Sequence, residues 1–257
     1  MPDQIDLSGE WTINITGLVS AGYGLTLSEL MAMEHVSEVI LLECSGNSPS
    51  SRFGLISAAE FSGVPLTDVL ELVDIDPAAT MVVVKGFDEH TPVSTHSTPG
   101  ASWAFSFQQI ADAGGMLVTR MNGEPLPADH GQPVRLMMPG WYGCCCAKWV
   151  DEIRLVDDSE PATAQMQEFA SRTHQPGIPA LCKDYLPATM DQAAMVTRVE
   201  KWMVDGVIHY RLVGIMWGGY ETTDKLVMEI GNHGTGPVEV CPAHSQNNTW
   251  TLWSTPW

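Results

Sequence analysis
The chain has 257 residues, 44% of them hydrophobic, with 31 acidic against 12 basic side chains and a formal net charge of −19. This balance opposes a phosphate backbone, so nucleic-acid binding is not expected, and an anionic ligand would need a local concentration of Arg, Lys and His. No apolar run approaches the roughly 18 residues of a membrane-spanning helix, so no membrane span is expected.

Met1-Pro2-Asp3-Gln4-Ile5-Asp6 lacks the basic start and apolar stretch of a secretory leader, which fits a cytoplasmic chain or one whose leader lies outside this sequence. Trp11, Ile13 and Ile15 alternate with polar residues, as in a half-buried strand. Thr26-Leu27-Ser28-Glu29 has the spacing of a capping box and opens a short helix through Met33. Val39 to Leu42 reads as a buried strand. Val64 to Leu70 reads as a turn and a helix capped by Thr67. Met81 to Val84 is another strand, and Trp103, Phe105 and Phe107 alternate like one more. Leu117 to Met121, Asn122-Gly123 and Val134 to Met138 predict strands around tight turns.

After Val156 the texture changes. Asp157-Asp158-Ser159-Glu160-Pro161 is an acidic break, followed by an irregular stretch through Pro187. Thr197 to Val204 and Val207 to Trp217 read as strands joined by Asp205-Gly206, a strong hairpin signal. Lys225 to Ile230, Val238 to Cys241 and Thr249 to Trp253 continue the series and suggest a sandwich. The expected division is a domain over 1–158, a linker over 159–190 and a second, incomplete domain over 191–257, an α+β chain in all.

Three segments carry chemistry. Cys44 follows an apolar strand and enters Ser45-Gly46-Asn47, a loop that can present a thiol; a lone Cys in such a place is more often a small core residue. Asp129-His130-Gly131-Gln132-Pro133-Val134-Arg135 is a polar turn entering a strand, with a cation and an imidazole that could grip an anion. Trp141-Tyr142-Gly143-Cys144-Cys145-Cys146-Ala147-Lys148-Trp149 sets Lys148 among apolar residues, where a buried ammonium needs an anionic partner and a half-buried one can snorkel. The six cysteines include no Cys-x-x-Cys pair. Adjacent thiols diverge on an extended chain, so a zinc module built on Cys144 to Cys146 ranks last among the readings.

In this order the segments resemble the molybdenum domain of the sulfite oxidase family. The match extends through Phe53 to Leu66, Lys183-Asp184-Tyr185, and Arg198 to Trp202 with Gly214 to Gly219. The resemblance implies a mixed α/β molybdopterin domain followed by an immunoglobulin-like dimerisation domain, and a molybdenum-molybdopterin cofactor. It implies Cys44 as metal ligand and Tyr185 as a catalytic hydrogen-bonding group near the metal. His130, Arg135, Cys146, Ala147 and Lys148 would hold the pterin and its phosphate, with Cys146 acting through its backbone, and Asp88 would contact the pterin.

The chain also departs from the family pattern. Sulfite-oxidising members carry an Arg shortly after the metal Cys; here the nearest cation is Arg52, a candidate substitute. No Arg-and-His-containing covering segment precedes Trp11, and the sandwich lacks its end, so a fragment is expected. The implied reaction is oxygen transfer to a sulfur-centred anion such as sulfite, with electrons leaving to an external acceptor such as a cytochrome. The alternatives are a sulfoxide or nitrate reductase on the same cofactor, or a binding protein without turnover. A homodimer and a periplasmic home are implied by likeness alone.

Overall fold
The computed structural model describes residues 9–51, 53–87, 101–219, 225–229, 231, 234–236, 238–241 and 248–256. Through residue 156 the elements are β1 (Thr12–Gly17), β2 (Tyr23–Thr26), α1 (Leu27–Ala32), β3 (Val36–Glu43), β4 (Ile56–Pro65), α2 (Leu66–Leu70), β5 (Met81–Gly86), β6 (Ser102–Ser106), α3 (Phe107–Ala113), β7 (Met116–Met121), β8 (Glu124–Pro125), β9 (Arg135–Met137) and β10 (Val150–Val156). Then come α4 (Ala164–Glu168), β11 (Ala193–Val204), β12 (Val207–Trp217), β13 (Met228–Glu229), β14 (Thr235–Gly236), β15 (Glu239–Val240) and β16 (Thr251–Pro256). The fold is α+β, with short helices set between sheets and a β-rich C-terminal part.

One sheet runs β2-β1-β10-β5-β6, with β1 and β10 parallel and the other neighbours antiparallel. A second runs β3-β4-β7-β8, with β9 added on β7. The C-terminal sandwich sheets are a four-stranded antiparallel one, β11-β12-β16-β15, and the ribbon β13-β14. In β1, Ile13 and Ile15 are buried while Asn14 points out, the expected alternation. In β5, Met81 to Val84 are buried without a break, the pattern of a strand covered on both faces.

Local chemistry explains several boundaries. Thr26 and Glu29 form the anticipated capping box at the start of α1. A second box, Ser106 with Gln109, opens α3, so Phe107 begins a helix instead of extending the strand of Trp103 and Phe105. The cap of α2 is Pro65, not Thr67, whose hydroxyl binds Asp68 instead. Of the run Val39 to Leu42 within β3, only Ile40 and Leu41 are buried; Val39 is exposed. The stretch expected to be irregular contains α4, capped by Thr163.

The main core includes Trp103, Phe105, Leu136 and Tyr142. Burying a side chain such as Phe105 or Leu136 stabilises the fold by roughly 1.5–3 kcal/mol. Ala162, Met166, Ala170, Cys182, Tyr185, Ala188 and Met190 belong to this same core, as does Trp217 at the end of β12. The chain after β10 thus returns across the first two sheets before the C-terminal strands begin. A smaller core holds Leu212, Met216 and Trp253; an added Cβ at Gly214 would meet the Trp253 ring at 2.2 Å.

Candidate cofactor-binding site
Cys44 is the first residue beyond β3, and its thiol is exposed. Its backbone N–H donates to Leu55 O (3.0 Å), and Asn47 N–H donates to Cys44 O (2.8 Å), closing a tight turn. The Gly46 N–H faces Cys44 Sγ at 3.4 Å. Beneath the turn, buried Asn47 donates through Nδ2 to Glu43 Oε1 (2.9 Å) and accepts from Leu55 N–H (3.1 Å). Trp217 Nε1 donates to the other Glu43 oxygen at 2.8 Å. Burial pushes the Glu43 carboxyl above its ordinary value; the Trp217 and Asn47 bonds and the Arg172 charge pull it back.

Arg172, in the turn after α4, reaches the same loop. Its Nε donates to Ser45 O (2.6 Å) and its Nη2 to Asn47 O (2.8 Å). The guanidinium lies over the Tyr142 ring, 4.8 Å from its centroid. The Tyr142 hydroxyl is bonded to Asp191 Oδ2 (3.0 Å), and burial pushes that phenol up to about 12.

A second cluster gathers His130, Arg135 and Lys148. Arg135 is only 5% exposed; its Nη1 donates to His130 O (3.3 Å), and its Nε has no hydrogen-bond partner among the described residues. Desolvation lowers its pKa, as expected for a cation buried without a paired anion. Arg135 and Lys148 face each other in an antiparallel bridge. Lys148 Nζ donates to Asp129 O (3.0 Å) over the Trp149 ring, and His130 is half-buried. Gly131, at φ +107°, lies between the two cation stems: an added Cβ would sit 3.0 Å from Lys148 Cβ and 3.2 Å from Arg135 Cβ.

The stretch Trp141–Trp149 connects the clusters. An added Cβ at Gly143 would lie 3.2 Å from Glu43 O and 3.8 Å from Cys44 Cα, so glycine lets the two loops touch. Cys144 N–H donates to Ser45 Oγ (3.2 Å), and Gln165 Nε2 donates to Cys144 O. A few residues on, Cys146 Sγ accepts from Met138 N–H (3.5 Å) and Ala147 O accepts from Leu136 N–H (2.8 Å), setting this part beside β9.

Of the sequence candidates, His130, Arg135, Cys146, Ala147 and Lys148 fall in one neighbourhood, and the Cys44 loop packs on the same stretch. Tyr185 is buried in the core, its hydroxyl donating to Pro179 O (3.2 Å). Arg52 and Asp88 lie outside the described residues. Burial raises the Cys145, Cys146 and Cys182 thiols, and all six cysteines are free. Among the described residues no three His, Cys, Asp or Glu groups converge as they would to hold a metal ion. Sequence reasoning missed Glu43, Gln165, Arg172 and Trp217, whose contacts span up to 174 residues. Only the proximity of Glu43 to Cys44 hinted at any of them.

Two features fit a phosphate-bearing cofactor with a thiolate-bound metal. The buried Arg135 Nε lacks an acceptor, beside a glycine cradle and a second cation. The exposed Cys44 thiol stands on a braced turn that packs on the same stretch of chain. A soft sulfur ligand suits molybdenum.

Comparison with known proteins agrees. Residues 1–164 match the family model of the oxidoreductase molybdopterin binding domain. The chain is 30% identical over 216 residues to a nitrate reductase [NADPH] of Leptosphaeria maculans, covering 79% of this chain and 22% of that protein. It is 29% identical over 159 residues to mitochondrial sulfite oxidase of Homo sapiens, covering 56% of this chain and 29% of that protein. The chain therefore spans less than a third of the length of these relatives. The fold superposes on the sulfane dehydrogenase SoxCD of Paracoccus pantotrophus with a TM-score of 0.72 at 20% identity, covering 96% of this chain and 63% of the other. The chain belongs to the oxidoreductase molybdopterin-binding domain family, the sulfite oxidase group of molybdenum enzymes.

Proposed function
We propose that this chain is the catalytic part of a molybdenum oxidoreductase that transfers oxygen to a sulfur-centred anion, sulfite being the leading candidate. The observation that carries this reading is the unpartnered, buried Arg135 Nε beside Lys148, with the Cys44 loop packed on the same connecting stretch. When bound, the molybdenum cofactor supplies two-electron oxygen-atom exchange with water. The net conversion takes sulfite and water to sulfate, two protons and two electrons, which leave to an external acceptor such as a cytochrome.

The protein's part is to hold and orient. Cys44 would bind the metal through its thiolate. Arg135 would turn its free Nε to the cofactor phosphate, with Lys148 and His130 adding charge-assisted contacts. Those cations also offset the repulsion of an anion by a chain of net charge −19. Glu43, Asn47 and Trp217 keep the Cys44 turn rigid from below, which supports a precise ligand position. Tyr185 as a hydrogen-bonding group, and Arg52 and Asp88 as substrate and pterin contacts, complete the proposed site.

A second reading, reduction of nitrate or a sulfoxide on the same cofactor, draws support from the nitrate reductase similarity. Purified, molybdenum-loaded protein should oxidise sulfite with ferricyanide faster than it reduces nitrate or a sulfoxide with reduced viologen; the opposite ranking selects the second reading. We further propose the division 1–158, 159–190 and 191–257, an immunoglobulin-like character for the last, homodimerisation through it, and function after export to the periplasm.

A further inference from the structure
We propose that Arg172 is the positioning residue of the Cys44 loop: it fixes the turn that presents the thiol and sets a positive charge beside it. This inference rests on Cys44 being the metal ligand and adds a residue from a different part of the chain.

The turn closes on itself through Asn47 N–H donating to Cys44 O, and the Ser45 and Asn47 carbonyls on either side of Gly46 accept from Arg172. Arg172 takes both, at 2.6 and 2.8 Å, from a segment more than a hundred residues away. A guanidinium suits this task because its donors are spread in a rigid planar fork, whereas a Lys ammonium is a single point. The fork is itself held: it lies over the Tyr142 ring, its Nη1 donates to the Tyr142 hydroxyl (3.4 Å), and that hydroxyl is tied to Asp191. Asp191 is bound in turn by His174 Nε2 at 2.7 Å. Arg172 is therefore an oriented group whose donors meet the backbone on both sides of Gly46.

The test compares wild type with Arg172→Gln and Arg172→Lys, first without cofactor and then loaded. Hydrogen exchange at the Cys44, Asn47 and Leu55 amides in the cofactor-free protein should accelerate about tenfold to a hundredfold in Arg172→Gln, the scale of losing bonds from a charged donor. Arg172→Lys, which regains one carbonyl, should fall between, while exchange in β5 and β10 stays at the wild-type rate. In loaded protein, Arg172→Gln should lower the reduction potential of the metal and Arg172→Lys should restore most of it. Unchanged loop exchange in both variants, or acceleration spread equally over β5 and β10, would overturn the proposal. A Cys44→Ser arm separates the underlying reading: molybdenum bound there with unaltered spectra removes Cys44 as ligand whatever Arg172 does to the loop.

Discussion

Trp217 Nε1 donates to Glu43 Oε2 at 2.8 Å, linking the last residue of β12 to the last residue of β3, directly before the Cys44 turn. Both side chains are buried, at 2% and 3% exposure. Through this bond the C-terminal sheet braces the base of the proposed metal loop. Glu43 has a folded-state pKa above its ordinary value, so its contribution to stability is full below the unfolded value and is lost as pH rises through the raised one. Trp217 lessens that loss by favouring the carboxylate. Trp217→Phe should destabilise the protein by about 2–3 kcal/mol, the scale of a lost hydrogen bond to a buried charge. The deficit should widen between pH 4 and pH 8. Urea titrations across that range check it, and parallel stability curves for wild type and variant would contradict it.

Arg135 carries a different expectation, because the cofactor-free protein holds a buried cation with an unsatisfied Nε. Arg135→Met should leave the cofactor-free fold unchanged or stabilise it by about 1–2 kcal/mol, as when buried charge is replaced by packed hydrocarbon. The same variant should lose most bound pterin. Thermal unfolding alongside pterin fluorescence after denaturation measures both, and normal pterin content would remove Arg135 from the phosphate site.

At Gly131 the backbone has φ +107°, and any Cβ would push between Lys148 and Arg135. Gly131→Ala should cost about 1–3 kcal/mol of stability from backbone strain and lower the molybdenum-to-protein ratio. Metal analysis of matched preparations checks this. A strained but fully loaded variant would show that the cations need not be so close.

Thiol chemistry separates the cysteines. Cys44 and Cys241 are exposed, whereas Cys145, Cys146 and Cys182 are buried with thiols raised by burial, Cys182 to about 11. Brief iodoacetamide treatment of cofactor-free protein should label Cys44 and Cys241 and spare those three, and loading should then protect Cys44 alone. Mass spectrometry of the peptides reads the pattern; early labelling of Cys146 would mean that its thiol is open to solvent.

Much of this was legible in the sequence where the signals are local. The Thr26–Glu29 capping box and the Asp205-Gly206 turn both formed, the latter with positive φ at both residues and Val204 paired with Val207. The Ser106–Gln109 box was written as plainly, but aromatic alternation through Phe107 pointed to a strand, and the cap prevailed. His130, Arg135 and Lys148 could be singled out because two short segments carry them, and the fold sets Arg135 against both. The bracing of Cys44 could not: Arg172, Gln165 and Trp217 meet the loop or its neighbour Cys144 only after the chain has folded back across the first two sheets, and no periodicity or spacing encodes that return.

X-ray absorption at the molybdenum edge, on wild-type and Cys44→Ser protein loaded in the same host, tests the central claim most directly. The account predicts a sulfur shell that shrinks by one scatterer in the variant, with an oxygen neighbour in its place. An identical sulfur shell in both proteins would contradict it.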